Sequence, residues 1–204
     1  AADLTLLGTL SSVLPALETL YLFEPKAVPD GMLRLAERLG AGALPALTCL
    51  DISSTHVGDA GASALAAALG RGALPRLKLL VLTHTAIGDA ALVALAPALR
   101  RLPALETLEL RNNPLGDEGL AALVAPPPPA GTPPLPAGGL KKLKELDLSY
   151  TQITDAGCAA LAAALDSGVL PALEDLTLDG IPASAAAKDA VREALAKSRA
   201  AVLP

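Results

Sequence analysis

Aromatic residues are almost absent from this sequence. They make up 1% of its 204 residues, as two Tyr, one Phe and no Trp, while hydrophobic residues make up 52%. Compact globular cores usually gain packing area from aromatic side chains. A core of Leu, Ala, Val and Ile without them indicates small, similar units stacked side by side.

Long apolar runs and an excess of positive charge are absent too. The apolar run from Ala90 to Leu99, for example, contains Pro97, whereas a membrane-spanning helix needs roughly 20 apolar residues. The N-terminus lacks Met and a basic region, so we expect no signal peptide and a chain cut or processed from a longer one. With 16 Lys and Arg against 21 Asp and Glu, the net charge of −5 argues against nucleic acid and anionic membranes as partners.

Cysteine and histidine do not occur in patterns that metal binding or catalysis needs. Cys49 and Cys158 fit no zinc or CxxC spacing and favour a reducing compartment, so we expect an intracellular, cytoplasmic protein with Cys49 a free thiol and Cys158 a buried helix residue. His56 and His84 occupy non-equivalent positions, and no serine elbow or glycine-rich nucleotide loop is present. We therefore expect no enzyme activity, no cofactor and no bound metal.

What the sequence does contain is a repeat. The segment LPALETLYL at residues 14–22 returns as LPALETLEL at residues 102–110. Six segments of the form L-x-x-L-x-x-L-x-[LI] start 30, 30, 28, 38 and 30 residues apart, at Leu14, Leu44, Leu74, Leu102, Leu140 and Leu170. A period in this range is typical of a solenoid.

Each unit predicts a strand, a turn and a helix. The L-x-L centre alternates with period two, which is typical of a short strand with one buried face. Leucines at i and i+4, such as Leu65 and Leu69, then predict a helix with one apolar stripe. An aspartate that recurs at the start of each helix is expected to cap a helix N-terminus rather than to bind a metal: Asp59, Asp89, Asp117 and Asp155, with Asp30 taken as equivalent.

The pattern L-x-x-L-x-L-x-x-N/T-x-L, followed by a helical half, resembles the leucine-rich repeat family, specifically its ribonuclease-inhibitor-like class. The resemblance implies an α/β solenoid of about six repeats, a curved horseshoe with a parallel β-sheet on its concave face and α-helices on its convex face. It also implies protein recognition without catalysis. The chain departs from the family pattern where the usual turn Asn is Thr at Thr55, Thr85 and Thr151 and stays Asn only at Asn113.

Three regions are predicted outside the regular repeats of residues 14–181. Residues 1–13 are expected to form a truncated repeat or N-terminal cap, and residues 182–204 a C-terminal capping helix. Residues 125–139, APPPPAGTPPLPAGG, are expected to be a Pro-rich insertion that breaks the fourth helix.

The concave face is the predicted binding surface. If the first leucine of each strand segment is position 1, period two turns positions 3, 5 and 7 outward, with position 8 at the rim. These positions hold all three aromatics, one base and seven acids, a net charge of −6, so a partner with a basic patch would be steered here. The acids are Glu24, Asp51, Glu109, Glu145, Asp147, Asp175 and Asp179. The candidate partner-binding residues are Tyr21, Phe23, Asp51, His84, Glu109, Arg111, Asp147, Tyr150 and Asp179.

The preferred interpretation is a non-catalytic protein-binding module or scaffold, a candidate subunit of a larger assembly, whose partner is a protein rather than nucleic acid or membrane. Two alternatives remain open. One is a regulator of an enzyme, resembling a GTPase-activating protein or a nuclease inhibitor. The other is the sensor segment of a multidomain immune-type receptor. The alanine-rich outer helices, with few charges, remain a second candidate interface.

Overall fold

The computed structural model describes residues 16–23, 29–125 and 140–202, and in these residues six strands alternate with six helices. The strands are β1 (Thr19–Tyr21), β2 (Cys49–Asp51), β3 (Leu79–Val81), β4 (Thr107–Glu109), β5 (Glu145–Asp147) and β6 (Asp175–Thr177). The helices are α1 (Pro29–Gly40), α2 (Gly58–Gly70), α3 (Asp89–Leu99), α4 (Asp117–Val124), α5 (Asp155–Asp166) and α6 (Ala185–Val202). The predicted strand and helix of each repeat are confirmed.

The strands form one parallel sheet whose spatial order is the sequence order. Its register pairs the central leucine of each strand with that of the next: Leu20, Leu50, Leu80, Leu108, Leu146 and Leu176. The four inner leucines are at most 1% exposed, whereas those of the first and last strands have a neighbour on one side only. The α/β solenoid of about six repeats is confirmed, because each repeat's apolar row is covered by its neighbours.

The hydrophobic core lies between the sheet and the helices. In the second repeat, Leu47, Leu50 and Ile52 of the strand segment and Leu65 and Leu69 of α2 are each at most 2% exposed. Equivalent side chains of every repeat join them in a single cluster. Aliphatic side chains from every second strand residue and from one stripe of each helix thus fill the space between the sheet and the helices, and no aromatic ring is needed.

The regions predicted outside the repeats are only partly described. Residues 1–13 lie outside the described residues, and of the insertion only Ala125 is described, directly after the end of α4. Helix α6 falls within residues 182–204. In the described part of the chain no helix combines the length and apolarity that crossing a membrane requires. Cys49 and Cys158 are both free of any disulfide, and Cys158 is buried, as expected, whereas Cys49 is buried although its strand position predicted an outward side chain.

A threonine hydroxyl closes the turn that follows several strands. The hydroxyls of Thr55, Thr85 and Thr151 donate to the carbonyl three residues earlier, at 2.6, 2.7 and 2.8 Å. The threonines are at most 4% exposed, so each satisfies a carbonyl that water cannot reach. A threonine therefore satisfies one backbone group at the place where the family pattern has asparagine.

The single asparagine at this position does more. Asn113 Nδ2 donates to the carbonyls of Leu82 and Leu110 at 2.7 and 2.9 Å. Its Oδ1 accepts from the backbone N–H groups of Thr85 and Ile87 at 3.0 and 3.1 Å. A threonine hydroxyl cannot reach both strands, so Asn113 is the side chain that joins the turns of the third and fourth repeats.

Three of the recurring aspartates, Asp89, Asp117 and Asp155, bind the start of a helix, and it is the next helix along the chain rather than their own. Asp89 Oδ1 accepts from the N–H groups of Gly116 and Gly119, at 2.6 and 2.9 Å, where α4 begins. Asp117 Oδ1 accepts in the same way from Thr154 and Gly157, at 2.8 and 3.0 Å, where α5 begins. Each carboxylate thus satisfies two N–H groups that the helix itself leaves without partners.

The last of these contacts holds the C-terminal helix. Asp155 accepts from the N–H of Ser184 at 2.6 Å and from its hydroxyl at 2.9 Å, just before α6. These bonds favour the charged carboxylate and lower the pKa of Asp155. The C-terminal helix is thereby joined to the fifth repeat by the same device that joins the repeats to one another.

In the helix that is capped, a glycine makes room for the carboxylate that arrives from the preceding repeat. In α4 this glycine is Gly119, two residues after Asp117. A Cβ on Gly119 would lie 2.8 Å from Asp89 Oδ1 and 3.2 Å from Asp89 Cα, too close for the capping carboxylate to stay. The third repeat has Ala91 at this position, and in the described part of the chain no hydrogen bond joins Asp59 to the start of α3. The joint between the second and third repeats therefore lacks one cap.

Replacing Asp117 with alanine should destabilise the protein by about 1–2 kcal/mol, because two helix N–H groups lose their acceptor. Asp59→Ala is the matched control and should change stability by no more than about 0.5 kcal/mol. Urea unfolding followed by circular dichroism measures both. Equal losses in the two variants would contradict the capping role of Asp117.

Candidate functional site

The open side of the sheet, away from the helices, is the predicted concave face, and we call it the sheet face. Its three aromatic side chains are its most prominent apolar groups. Tyr21 is 60% exposed, Phe23 62% and Tyr150 51%. Large apolar side chains of this kind are enriched at the energetic centres of protein interfaces.

Fewer residues are exposed on the sheet face than the alternation of the strands predicts. Ser53 and Ser149, both at position 7, are buried, and so are Cys49 and Val81 at positions 3 and 5. Strands lie about 4.8 Å apart, so longer side chains on neighbouring strands cover short ones. Position in the repeat is therefore not enough to make a residue of this face available to a partner.

One end of the sheet face is apolar. Tyr21 and Phe23 lie on or after the first strand, and Tyr21 is close enough to Cys49 to hydrogen-bond its sulfur. The charge of the Cys49 thiolate, followed by this hydrogen bond, raises the pKa of Tyr21. Burial in turn raises the pKa of Cys49. At neutral pH both groups are uncharged, and this end offers a partner apolar contact with one hydroxyl.

The centre of the sheet face carries the acidic row, which we define as Asp51, Glu109 and Asp147. The register aligns all three at position 5, with Val81 between the first two and no residue between the last two. Asp51 and Asp147 each accept the backbone N–H of the serine two residues later, at 2.9 and 2.8 Å. Glu109 has no such bond in the described part of the chain.

Glu109 is therefore the least favourably placed acid of the row. Burial raises its pKa first, and the negative charges of Asp147, Asp51 and Glu145 raise it further, while Arg111 opposes the shift. The carboxylate is thus held in its charged form against its surroundings at neutral pH. A cation from a partner would relieve that electrostatic repulsion.

Beside the acidic row lies an open groove of about 640 Å³. Its walls come from the last four repeats, and its polar lining is dominated by the carboxylates of Glu109, Glu145, Asp147 and Asp175. Arg111 is the one base in the lining, and its guanidinium carbon lies 5.0 Å from the centre of the Tyr150 ring. This cation–π contact holds the arginine at the rim and leaves the groove acidic.

Tyr150 has an unusual backbone as well. Its φ is 56°, in the left-handed region, like the φ of the equivalent His84 and Asn112. Its ring lies over Gly180 of the last repeat, where a Cβ would come within 2.5 Å of a ring carbon. The ring is thus held between Arg111 and Gly180, which fixes its position before any partner arrives.

The remaining predicted residues lie at the rim. His84 is exposed and lines a second groove of about 490 Å³ together with His56 and Asn112. Asp179 is exposed, and its carbonyl accepts the N–H of Tyr150 at 2.7 Å. The structure thus brings Arg111, Tyr150 and Asp179 to one corner, while His84 faces a separate groove.

Catalytic chemistry finds no obvious support in this arrangement. In residues 16–23, 29–125 and 140–202 no group of three or more His, Cys, Asp or Glu is placed to hold a metal ion. The buried hydroxyl oxygens of Thr83 and Ser149 have no hydrogen-bond partner in these residues, so no histidine is hydrogen-bonded to either of them. The groups on the sheet face are suited to contact and charge complementarity.

Sequence reasoning missed a charge ladder at position 2, where the strands begin. Glu106 accepts from Lys144 at 3.3 Å and lies 3.6 Å from Lys78, so it bridges β3, β4 and β5. The hydrogen bond and charge of Lys144, with a contribution from Lys78, lower the pKa of Glu106. The signal was present as alternating charge at one repeat position, but it can be interpreted only with the strand register.

Comparisons with known proteins agree on the fold. A leucine-rich repeat family model matches residues 44–66, 102–124 and 139–162. The solved actin-binding site 2 of leiomodin-1 superposes with a TM-score of 0.60 at 18% identity, covering 86% of this chain and 91% of that one. The C-terminal domain of tropomodulin from Caenorhabditis elegans gives 0.55 at 15% identity, covering 98% and 96%. No curated protein matches the sequence significantly.

Glu109→Gln should raise the melting temperature at pH 7 and have no effect near pH 3. The folded pKa of Glu109 is raised, so its charge costs stability as pH rises from the unfolded pKa through the folded one, and glutamine removes that cost. Thermal unfolding across this pH range measures the effect.

Glu106→Gln is the matched control with the opposite sign. The folded pKa of Glu106 is lowered, so its contribution is present above the unfolded pKa and is lost as pH falls through the folded pKa. This variant should melt lower than the parent at pH 7 and match it near pH 3. If both variants changed the melting temperature at pH 7 in the same direction, the opposite electrostatic environments of Glu106 and Glu109 would be contradicted.

Proposed function

We propose that this chain, a leucine-rich repeat protein, is a non-catalytic binding module that holds a protein partner on its sheet face. The observation that carries the proposal is that exposed aromatics share one face with acids that form no ion pair among the described residues. In the described residues the large exposed hydrophobic side chains are Tyr21, Phe23, Val93 and Tyr150, and only Val93 lies on a helix.

The partner is a protein with a basic patch. Tyr21 and Tyr150 lie at β1 and just after β5, four strand spacings apart, which is roughly 19 Å. Asp51 and Glu109 lie on strands between these two anchors, Asp147 lies on β5 itself, and the groove extends from there to β6. A partner that reaches both anchors therefore passes over the carboxylates, where lysine or arginine side chains would offset their mutual repulsion.

The structural neighbours support a protein partner and suggest one candidate. The leiomodin-1 domain carries actin binding in its name, so actin is a direct candidate for this chain and belongs in the first binding assay. We extend the proposal to a role as a fixed subunit of an intracellular, cytoplasmic assembly. The ribonuclease-inhibitor-like class stays a prediction from the sequence.

The partner can be identified by affinity capture on the wild-type chain from the organism that produces it, followed by mass spectrometry, with purified actin measured beside it. The same capture with a variant that lacks the acidic row shows which proteins depend on that row. Asp51→Asn, Glu109→Gln and Asp147→Asn remove its charge. Each Asn keeps the oxygen that accepts the serine N–H, so the strand ends stay intact.

Neutralising the acidic row should slow association with the partner several-fold and flatten its dependence on salt, because charge steers the encounter. Truncating Tyr21 or Tyr150 to alanine should instead speed dissociation, since anchors act mainly on the lifetime of a complex. Surface plasmon resonance at two salt concentrations separates the two effects.

The matched control places charge on the helices. Ala67 and Val93 are exposed on α2 and α3, whereas Ala94 is half-buried and would disturb the core. Ala67→Lys and Val93→Lys should leave binding unchanged. If these two abolish binding while the neutralised row retains it, the helices form the interface and the proposal is wrong.

A further inference from the structure

A second charged surface lies at the sheet edge where the strands begin. We define the basic edge as the eight bases in the segments that lead into β3, β4 and β5: Arg71, Arg76, Lys78, Arg100, Arg101, Lys141, Lys142 and Lys144. Because the strands are parallel and adjacent, these segments enter the sheet side by side. The bridge from Lys78 through Glu106 to Lys144 shows that they touch.

The charge of this edge is opposite to that of the chain. Residues 71–78, 100–106 and 140–144 hold the eight bases and one acid, a net charge of +7 in a chain whose net charge is −5. Helix C-termini attract bases, which accounts for Arg71, Arg100 and Arg101. It does not account for Arg76, Lys141 and Lys142, which come after the helices have ended.

Most of the bases of the basic edge form no side-chain bond within the fold. Lys78 and Lys144 pair with Glu106, and Arg100 Nη1 donates to the carbonyl of Ala122 at 2.8 Å. Within the described residues, five exposed bases of this edge make neither an ion pair nor a side-chain hydrogen bond: Arg71, Arg76, Arg101, Lys141 and Lys142. They lie in the segments that lead into three successive strands and are free to contact another molecule.

We infer that the basic edge binds a short acidic segment of a protein, as a docking surface separate from the sheet face. From β3 to β5 the edge extends over two strand spacings, roughly 10 Å, which an extended segment of about three residues matches. A single-stranded nucleic acid would also need aromatic platforms for its bases. The three aromatics of the chain lie on the sheet face instead.

Fluorescence anisotropy with a labelled hexaglutamate peptide tests the inference at low salt. The variant is Arg76→Glu with Lys142→Glu, which reverses two unpaired bases at the same repeat position. The control is Arg192→Glu with Lys197→Glu on α6, which changes the net charge equally and breaks only exposed ion pairs. Circular dichroism checks that each variant folds, and Arg101→Glu with Lys141→Glu is a second pair at the edge.

Both edge variants should weaken peptide binding by about tenfold or more, and the α6 control by no more than about twofold. Neutralising the acidic row should leave this binding intact or strengthen it. Equal losses in edge and control variants would show that net charge alone matters and would overturn the inference. So would the absence of binding to the wild-type chain, or tighter binding of hexathymidylate than of the peptide.

Discussion

No repeat of this protein can bury its own leucines, and that constraint orders the rest of the structure. Leu50 is covered because Leu20 and Leu80 stand beside it in register and helix leucines lie beneath it. A slip of one residue would turn this row to solvent, so the stacking fixes the register of every strand. It also fixes which side chains are left for the sheet face, since a period of two permits no other choice.

Contacts between apolar side chains are non-directional, so they do not fix the orientation of one repeat relative to the next. Hydrogen bonds between repeats do. Asp89 and Asp117 each reach across to the next helix, and Asn113 connects two turns. These bonds require one geometry, whereas leucine rows tolerate small rotations. Where alanine replaces the glycine that admits the carboxylate, at Ala91, the capping bond is missing, and the joint is held by packing and by backbone hydrogen bonds. The repeats are thus not equivalent in how firmly they are joined.

The fold could be predicted from the sequence because the same leucine pattern recurs in six repeats. The period, the strand register and the burial of the central leucines all follow from the spacing of leucines. The contacts between repeats could not be predicted, because they depend on which side chain lies one repeat away. The stacking of Arg111 on Tyr150 and the burial of Ser149 are of this kind. Most of the predicted site residues lie on the sheet face or at its rim, whereas His84 lines a separate groove, and neighbouring side chains decide which residues are accessible.

Two glutamates three residues apart have charges with opposite effects on the stability of the fold. Glu106 lies between two lysines, which lower its pKa and make its charge favourable. Glu109 lies among acids and is partly buried, so its pKa is raised and its charge is unfavourable. Solubility does not require an acid there, because exposed positions on α2 and α3 such as Ala67 and Val93 could carry one at little cost. The fold alone gives no reason for a charge at Glu109. A basic partner on the sheet face does, because its cation would turn the repulsion within the acidic row into attraction.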